Sequence, residues 1–316
     1  MRGVGRPDDW WPTLRYGRLL PRAGASRRAG SAYARTVALR ELAADPRRRR
    51  VACDRIGRWC GVGPAAALRI FADALACEAL EEAESAWFMG DPRRLPEAFA
   101  DAAPRMPIEP GSVVATLHLG SPVLGFVHLS RSGLVGRAIG RELDDSNPMP
   151  RAKRAWGTRK VAWVRATTGE PFLGTDARAL LAARAELDRG RSVYAAIDVP
   201  GDVVSRSRVV DLCGERVTLS SGMLTVARLA RAPVQLVVTT VLGGTYRHEA
   251  STPVGPGPEE EVARALASRA SALLRRMPGQ WWLWPYVVPV PTPAGVADRD
   301  SPADRVPSSV ARCASA

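Results

Sequence analysis

The sequence predicts an α/β domain with a mostly parallel central sheet flanked by helices, and three observations carry that prediction. Short apolar runs at Ser112–Leu117, Ser192–Val199 and Pro233–Leu242 have the length and β-branched character of strands buried on both faces. Between them lie segments with helical spacing, Asp176–Asp188 through Leu180, Leu181 and Leu187, and Gly222–Arg231 through Leu224, Val226 and Leu229. Strand and helix therefore alternate, the pattern that crossover connections between parallel strands produce.

Taken in order, residues 1–50 hold 13 arginines against Asp8, Asp9, Glu41 and Asp45, and they end in the run Pro46 to Arg50. They show no sustained apolar period and are predicted to form a mobile or loosely helical basic arm. Residues 51–290 are predicted to form one domain. A helix starts at Pro64, where proline suits a first turn. It continues through Leu68, Phe71, Leu75, Ala79, Ala83 and Trp87, with one face on a core and Gly90 as its stop. Prolines break the chain from 92 to 110 before the first strand. A further amphipathic helix is predicted at Glu259–Arg276, and residues 291–316, rich in Pro, Ala, Ser and Asp, as a disordered tail.

The chain has 316 residues and a formal charge of +13, which favours a polyanionic partner such as the anionic face of a bilayer. Nucleic acid is not expected, because no recognition motif accompanies the charge. Of the 45 basic residues only Lys153 and Lys160 are lysines. Cys53, Cys60, Cys77, Cys213 and Cys313 are odd in number and irregularly spaced, which predicts a reducing cytosol and no metal site. Arg2, Arg6, Asp8 and Asp9 interrupt the first residues, so no signal peptide is expected. Residues Pro110–Ser130 carry no charge over a membrane-spanning length, but His118, His128 and Pro122 within them read better as strand, turn and helix start.

Only three histidines are present, His118, His128 and His248. His118 is the best placed for chemistry, at the end of a predicted strand and before the turn Leu119-Gly120-Ser121-Pro122. From there an imidazole can face a cleft and act as general base; the bland reading is a hydrogen-bonded strand-end histidine. Gly111 through Gly120, with His118 inside it, resembles the histidine-motif segment of the bacterial lysophospholipid acyltransferase superfamily. The similar branch contains the late lipid A acyltransferases and the mannoside acyltransferases. Asn147-Pro148 with Trp156, Gly157 and Arg159, then Leu187 through Asp198, Leu212-Cys213-Gly214 with the segment Gly222–Pro233, and finally Pro278 through Trp284, resemble further segments of that branch in the same order.

The resemblance implies an acyltransferase-like fold and transfer of an acyl group from a thioester donor, acyl carrier protein or CoA, to a hydroxyl or amine of a lipid or glycolipid acceptor. It implies no cofactor. By the same resemblance Gly120, Asn147 and Arg159 stand near the substrate. The basic arm and the aromatic residues Trp281, Trp282, Trp284 and Tyr286 predict peripheral attachment at the cytoplasmic face of the inner membrane, or a place in the cytoplasm. In the family an acidic residue follows the histidine by five positions; here that position is Val123. Three outcomes follow: a substitute carboxylate, for which Asp198 at another strand end is the candidate; a histidine acting alone; or an inactive relative serving as a lipid-binding or partner subunit. Asp198 also has a bland reading as a turn or cap residue. Trp281, Trp282, Trp284 and Tyr286 form an aromatic cluster suited to a membrane interface or to burial against the sheet.

Overall fold

The computed structural model describes residues 10–99, 106–140, 143, 149–199, 206–242, 244–287 and 289–290. The chain opens with helix α1 (Trp10–Leu14), a π-helical turn at Arg15–Leu19, α2 (Leu20–Ala23), α3 (Arg27–Ala44) and α4 (Pro46–Cys60). Next come α5 (Pro64–Gly90) and the short α6 (Leu95–Ala98). The α/β part follows as β1 (Val113–Thr116), α7 (Pro122–Arg131), β2 (Arg137–Ala138), α8 (Arg151–Thr168), α9 (Ala177–Asp188) and β3 (Val193–Ala196). It continues through β4 (Ser207–Leu212), β5 (Glu215–Ser220), α10 (Gly222–Ala230), β6 (Val234–Leu242), β7 (Thr245–Ala250) and α11 (Glu259–Arg276).

Five strands form a sheet in the order β2-β3-β1-β6-β7. The first four run parallel and β7 pairs antiparallel with β6. The mixed α/β class and the largely parallel sheet predicted from the apolar runs are therefore what the chain adopts. All of Val113–Thr116 is buried, as a central strand covered on both faces requires. Helix α9 starts where Asp176 accepts a hydrogen bond from the Ala179 N–H at 2.8 Å, an N-cap that satisfies one of the helix's free donors. Strands β4 and β5 form a separate antiparallel hairpin, with Val217 of β5 also bridging to Pro289; both turn residues, Cys213 and Gly214, have positive φ (56° and 91°), as a two-residue hairpin demands.

The basic arm is the main correction. Residues 10–44 are helices, not a loose tail, and Tyr16, Leu20, Tyr33, Ala34 and Val37 are buried in one cluster with Ala79, Ala83 and Trp156. The arginine run at 47–50 belongs to α4, whose N-cap Asp45 accepts from the Arg48 N–H at 2.9 Å. Two of the arm's arginines are paired with carboxylates: Arg15 with Glu82 at 2.8 Å and Glu41 at 3.2 Å, and Arg48 with Glu41 at 3.5 Å. Because α3 covers its outer side, α5 is buried on more than the one face predicted, and Glu81, Glu82, Glu84 and Ser85 lie inside with Phe71 and Phe88. The predicted tail at 291–316 lies outside the described residues.

Candidate active site

Strand register decides which side chains meet. In the parallel pair β1–β3, Thr116 stands opposite Ala196, and the ladder continues one step further, the Ile197 N–H donating to the Thr116 carbonyl at 3.0 Å. His118 and Asp198 each lie two residues beyond those partners. They emerge side by side at the carboxyl edge of the sheet, where parallel folds place their functional groups.

The two residues are joined twice. His118 Nδ1 lies 2.8 Å from Asp198 Oδ1, and the His118 backbone N–H donates to Oδ2 at 2.7 Å. Since the neighbour at Nδ1 is a carboxylate oxygen, Nδ1 carries the ring proton, and Nε2 is left as the lone-pair nitrogen. Asp198 is buried, whereas 32% of the His118 side chain is exposed. Burial pulls the proton affinity of His118 down, but the charge and hydrogen bond of Asp198 outweigh it, aided by Glu78 and Glu81, and the net shift is upward.

A third group holds the aspartate. The indole Nε1–H of Trp281 donates to Asp198 Oδ2 at 2.8 Å. Trp281 is fully buried, stacked on Trp59 with centroids 5.8 Å apart and edge-on to Trp284 at 4.9 Å. Its backbone segment clamps the histidine loop: the Trp282 N–H donates to the His118 carbonyl at 3.0 Å and the Gly120 N–H to the Gln280 carbonyl at 2.9 Å. The aromatic cluster thus divides. Trp281 and Trp284 are core, while Trp282 and Tyr286 line the space in front of His118.

That space is a cavity of about 250 Å³. One wall is α5, with Glu78, Glu81 and Glu82; the other is α8, with Lys153, Trp156 and Lys160. Lys160 pairs with Glu81 at 2.5 Å and Lys153 with Glu78 at 3.8 Å, so the only two lysines of the chain stand together here. Glu82 is held by Arg15 at 2.8 Å and by the hydroxyls of Tyr16 and Tyr33 at 2.8 and 3.1 Å. Burial opposes its charge, but Arg15, Lys153 and these hydrogen bonds prevail and keep its carboxyl below the usual range. Burial is the larger influence on Glu81, whose carboxyl is pushed upward despite Lys160.

The other predicted site residues fare differently. Arg159 is exposed on α8, its guanidinium 5.8 Å from the Trp156 ring, and it does not line the cavity; Lys160, one position on, faces inward instead. Gly120 has φ +66°, and a Cβ there would lie 2.1 Å from the Thr239 carbonyl oxygen. Its part is to let the loop pass against β6, and its N–H is already taken by Gln280. Asn147 and Pro148 lie outside the described residues. Val123, half-buried, packs with the apolar cluster around Leu124 and Phe126 and leaves the imidazole to Asp198.

Sequence reading missed Trp281 as a partner of the site, along with Glu78, Glu81, Lys153 and Lys160. A signal for the lysines was present in their rarity. His128 and His248 meet each other elsewhere, Nδ1 to Nε2 at 2.8 Å, with His248 Nδ1 3.0 Å from Thr239 Oγ1 and Phe99 stacked on both rings. Among the described residues no group of His, Cys, Asp and Glu is arranged to hold a metal ion, and no single helix is long and apolar enough to cross a membrane. The sequence matches no known protein-family model and no curated protein to a significant degree.

Proposed function

We propose that the protein is an acyltransferase. It moves a fatty acyl group from a thioester donor, acyl carrier protein or CoA, to a hydroxyl or amine of a lipid or glycolipid acceptor, with His118 as general base and Asp198 in the role of the acid missing at Val123. The observation that carries this reading is the His118–Asp198 hydrogen bond of 2.8 Å at the mouth of a cavity on the carboxyl edge of a parallel sheet. In the reaction Nε2 takes the proton of the acceptor while its oxygen or nitrogen forms a bond to the thioester carbonyl carbon. Asp198 stabilises the imidazolium. Collapse of the tetrahedral intermediate breaks the C–S bond, and the imidazolium returns its proton to the leaving thiolate. The cationic role first assigned to Arg159 passes to Lys153 and Lys160 in the cavity wall.

Peripheral attachment to the cytoplasmic face of a membrane accompanies this reading. Met149 and Tyr286 line the cavity and are exposed; Arg48 lies 5.0 Å from the Tyr286 ring, and Arg40 lies 5.3 Å from that of the exposed Trp10. Apolar and aromatic side chains beside arginines suit an anionic lipid surface.

The test is acyl transfer from radiolabelled acyl-CoA and acyl-ACP to lipid extracts, with His118→Ala as control. Turnover by the wild type that is lost in a folded His118→Ala supports the reading. Absence of turnover with any thioester, together with retained binding to lipid vesicles, would replace it with the lipid-binding or partner role of an inactive relative.

A further inference from the structure

We propose that Trp281 is a positioning residue of the His118–Asp198 pair, its indole N–H orienting the carboxylate and taking up part of its charge. Asp198 has two oxygens and three donors around it. Oδ1 meets the imidazole at 2.8 Å, while Oδ2 accepts both the His118 backbone N–H at 2.7 Å and the Trp281 indole N–H at 2.8 Å. The two bonds to Oδ2 fix the rotation of the carboxyl group, so that Oδ1 lies in line with Nδ1. Trp281 cannot turn away, because Trp59 and Trp284 enclose it and it is fully buried.

The same bond sets how firmly His118 holds a proton. A carboxylate that shares its charge with an indole N–H has less to give to an imidazolium. The imidazole therefore remains available as a neutral base at a lower pH than a bare histidine–aspartate pair would allow. Other charges bear on the ring as well: Glu78 and Glu81 from α5 raise its proton affinity, and Lys153 and Lys160 on α8 stand in the same cavity. Tyr194, buried beside Asp198, directs its hydroxyl to Thr116 Oγ1 and the Pro122 carbonyl, so the indole is the side-chain donor besides the imidazole that reaches the aspartate among the described residues.

The contribution to turnover rests on the acyltransferase reading; the effect on His118 does not, and the experiment separates them. With only three histidines in the chain, the imidazole resonances of the full-length protein can be assigned by NMR with His118→Asn as reference. Trp281→Phe removes the donor and keeps an aromatic ring. It should raise the His118 proton affinity about tenfold, moving its titration midpoint up by about one pH unit. If turnover is found, the acid limb of its pH profile should move by the same amount, with kcat falling at pH 7 and recovering at higher pH. An unmoved or lowered midpoint in a folded variant overturns the proposal. Should Trp281→Phe fail to fold, the wild type decides: the Trp281 indole N–H resonance must titrate with the His118 midpoint, and an indole that ignores it refutes the coupling. A shifted midpoint without any acyl transfer would keep the positioning role and remove the enzyme.

Discussion

Replacing Asp198 by asparagine puts the dyad to its hardest test, because the geometry dictates which way the amide must sit. Oδ2 of the native aspartate accepts two N–H donors, from His118 and Trp281, at 2.7 and 2.8 Å. An asparagine that turned its NH₂ group toward them would strand two buried donors, each costing about 1–3 kcal/mol. The amide oxygen therefore takes that place, and the NH₂ group falls opposite His118 Nδ1. Nδ1 must then accept, the ring proton moves to Nε2, and the nitrogen facing the cavity no longer has a lone pair for the acceptor. The same tautomer inversion in a Ser-His-Asp triad lowers kcat about 10⁴-fold, and a loss of that order is expected here. Proton affinity moves as well, since removing an opposite charge in contact lowers a histidine by about 1–3 pH units. Single-turnover acyl transfer, with NMR titration of His118, measures both. The stability effect has a definite sign. His118 has its affinity raised by folding, so its pairing energy is present below about pH 6.5 and disappears as pH rises through the folded value. The gap between wild type and Asp198→Asn in urea melts should therefore narrow as pH increases. Retention of more than about a tenth of the wild-type rate by a folded Asp198→Asn would refute the assignment of Asp198 as partner of the base.

Other outcomes follow from the same structure. Val123→Glu should leave the rate of transfer unchanged in the same assay, because Asp198 already fills the acid's place; a marked gain would show the dyad to be incomplete. Gly120→Ala forces a side chain into positive φ and against the Thr239 carbonyl, and should lower the melting temperature by several degrees and disorder the His118 loop, seen by hydrogen exchange. Deleting residues 1–44 strips Tyr16, Leu20, Tyr33 and Val37 from the core, a loss on the order of 6–10 kcal/mol that rivals the stability of a typical domain, so unfolding by circular dichroism is expected rather than a soluble domain lacking an arm. His248, neutral because burial and His128 push it down to about 3, takes up a proton near pH 6.5 once unfolded. Stability from this residue is thus full above pH 6.5 and falls by about 1.4 kcal/mol per unit as pH drops toward 3, a slope that His248→Gln should reduce in denaturant titrations at pH 7.5 and pH 5.

The sequence by itself determined the alternation of strand and helix, the bounds of α5 and α11, and the presence of His118 at a strand end, because each is written in residues close together in the chain. Apolar period and β-branched runs are local signals, and a histidine followed by Gly120 and Pro122 marks its own turn. It also pointed to Asp198, but as one of three outcomes. Only the tertiary structure chose among them, since the pairing depends on the register of β1 against β3, in which Thr116 meets Ala196 across most of a crossover. The N-terminal helices were illegible for a different reason. Their buried face is built mainly from alanine and tyrosine, with Leu20 and Val37 too far apart to make a leucine stripe, and the charge of Arg15 and Arg48 suggested solvent until Glu41 and Glu82 were brought to them by folding. Likewise Trp281 read as one aromatic in a dense cluster. What separates it from Trp282 and Tyr286 is its burial and an indole hydrogen bond to a residue just past the end of β3, and a bond between groups so far apart in the chain exists only once the sheet has closed beneath them.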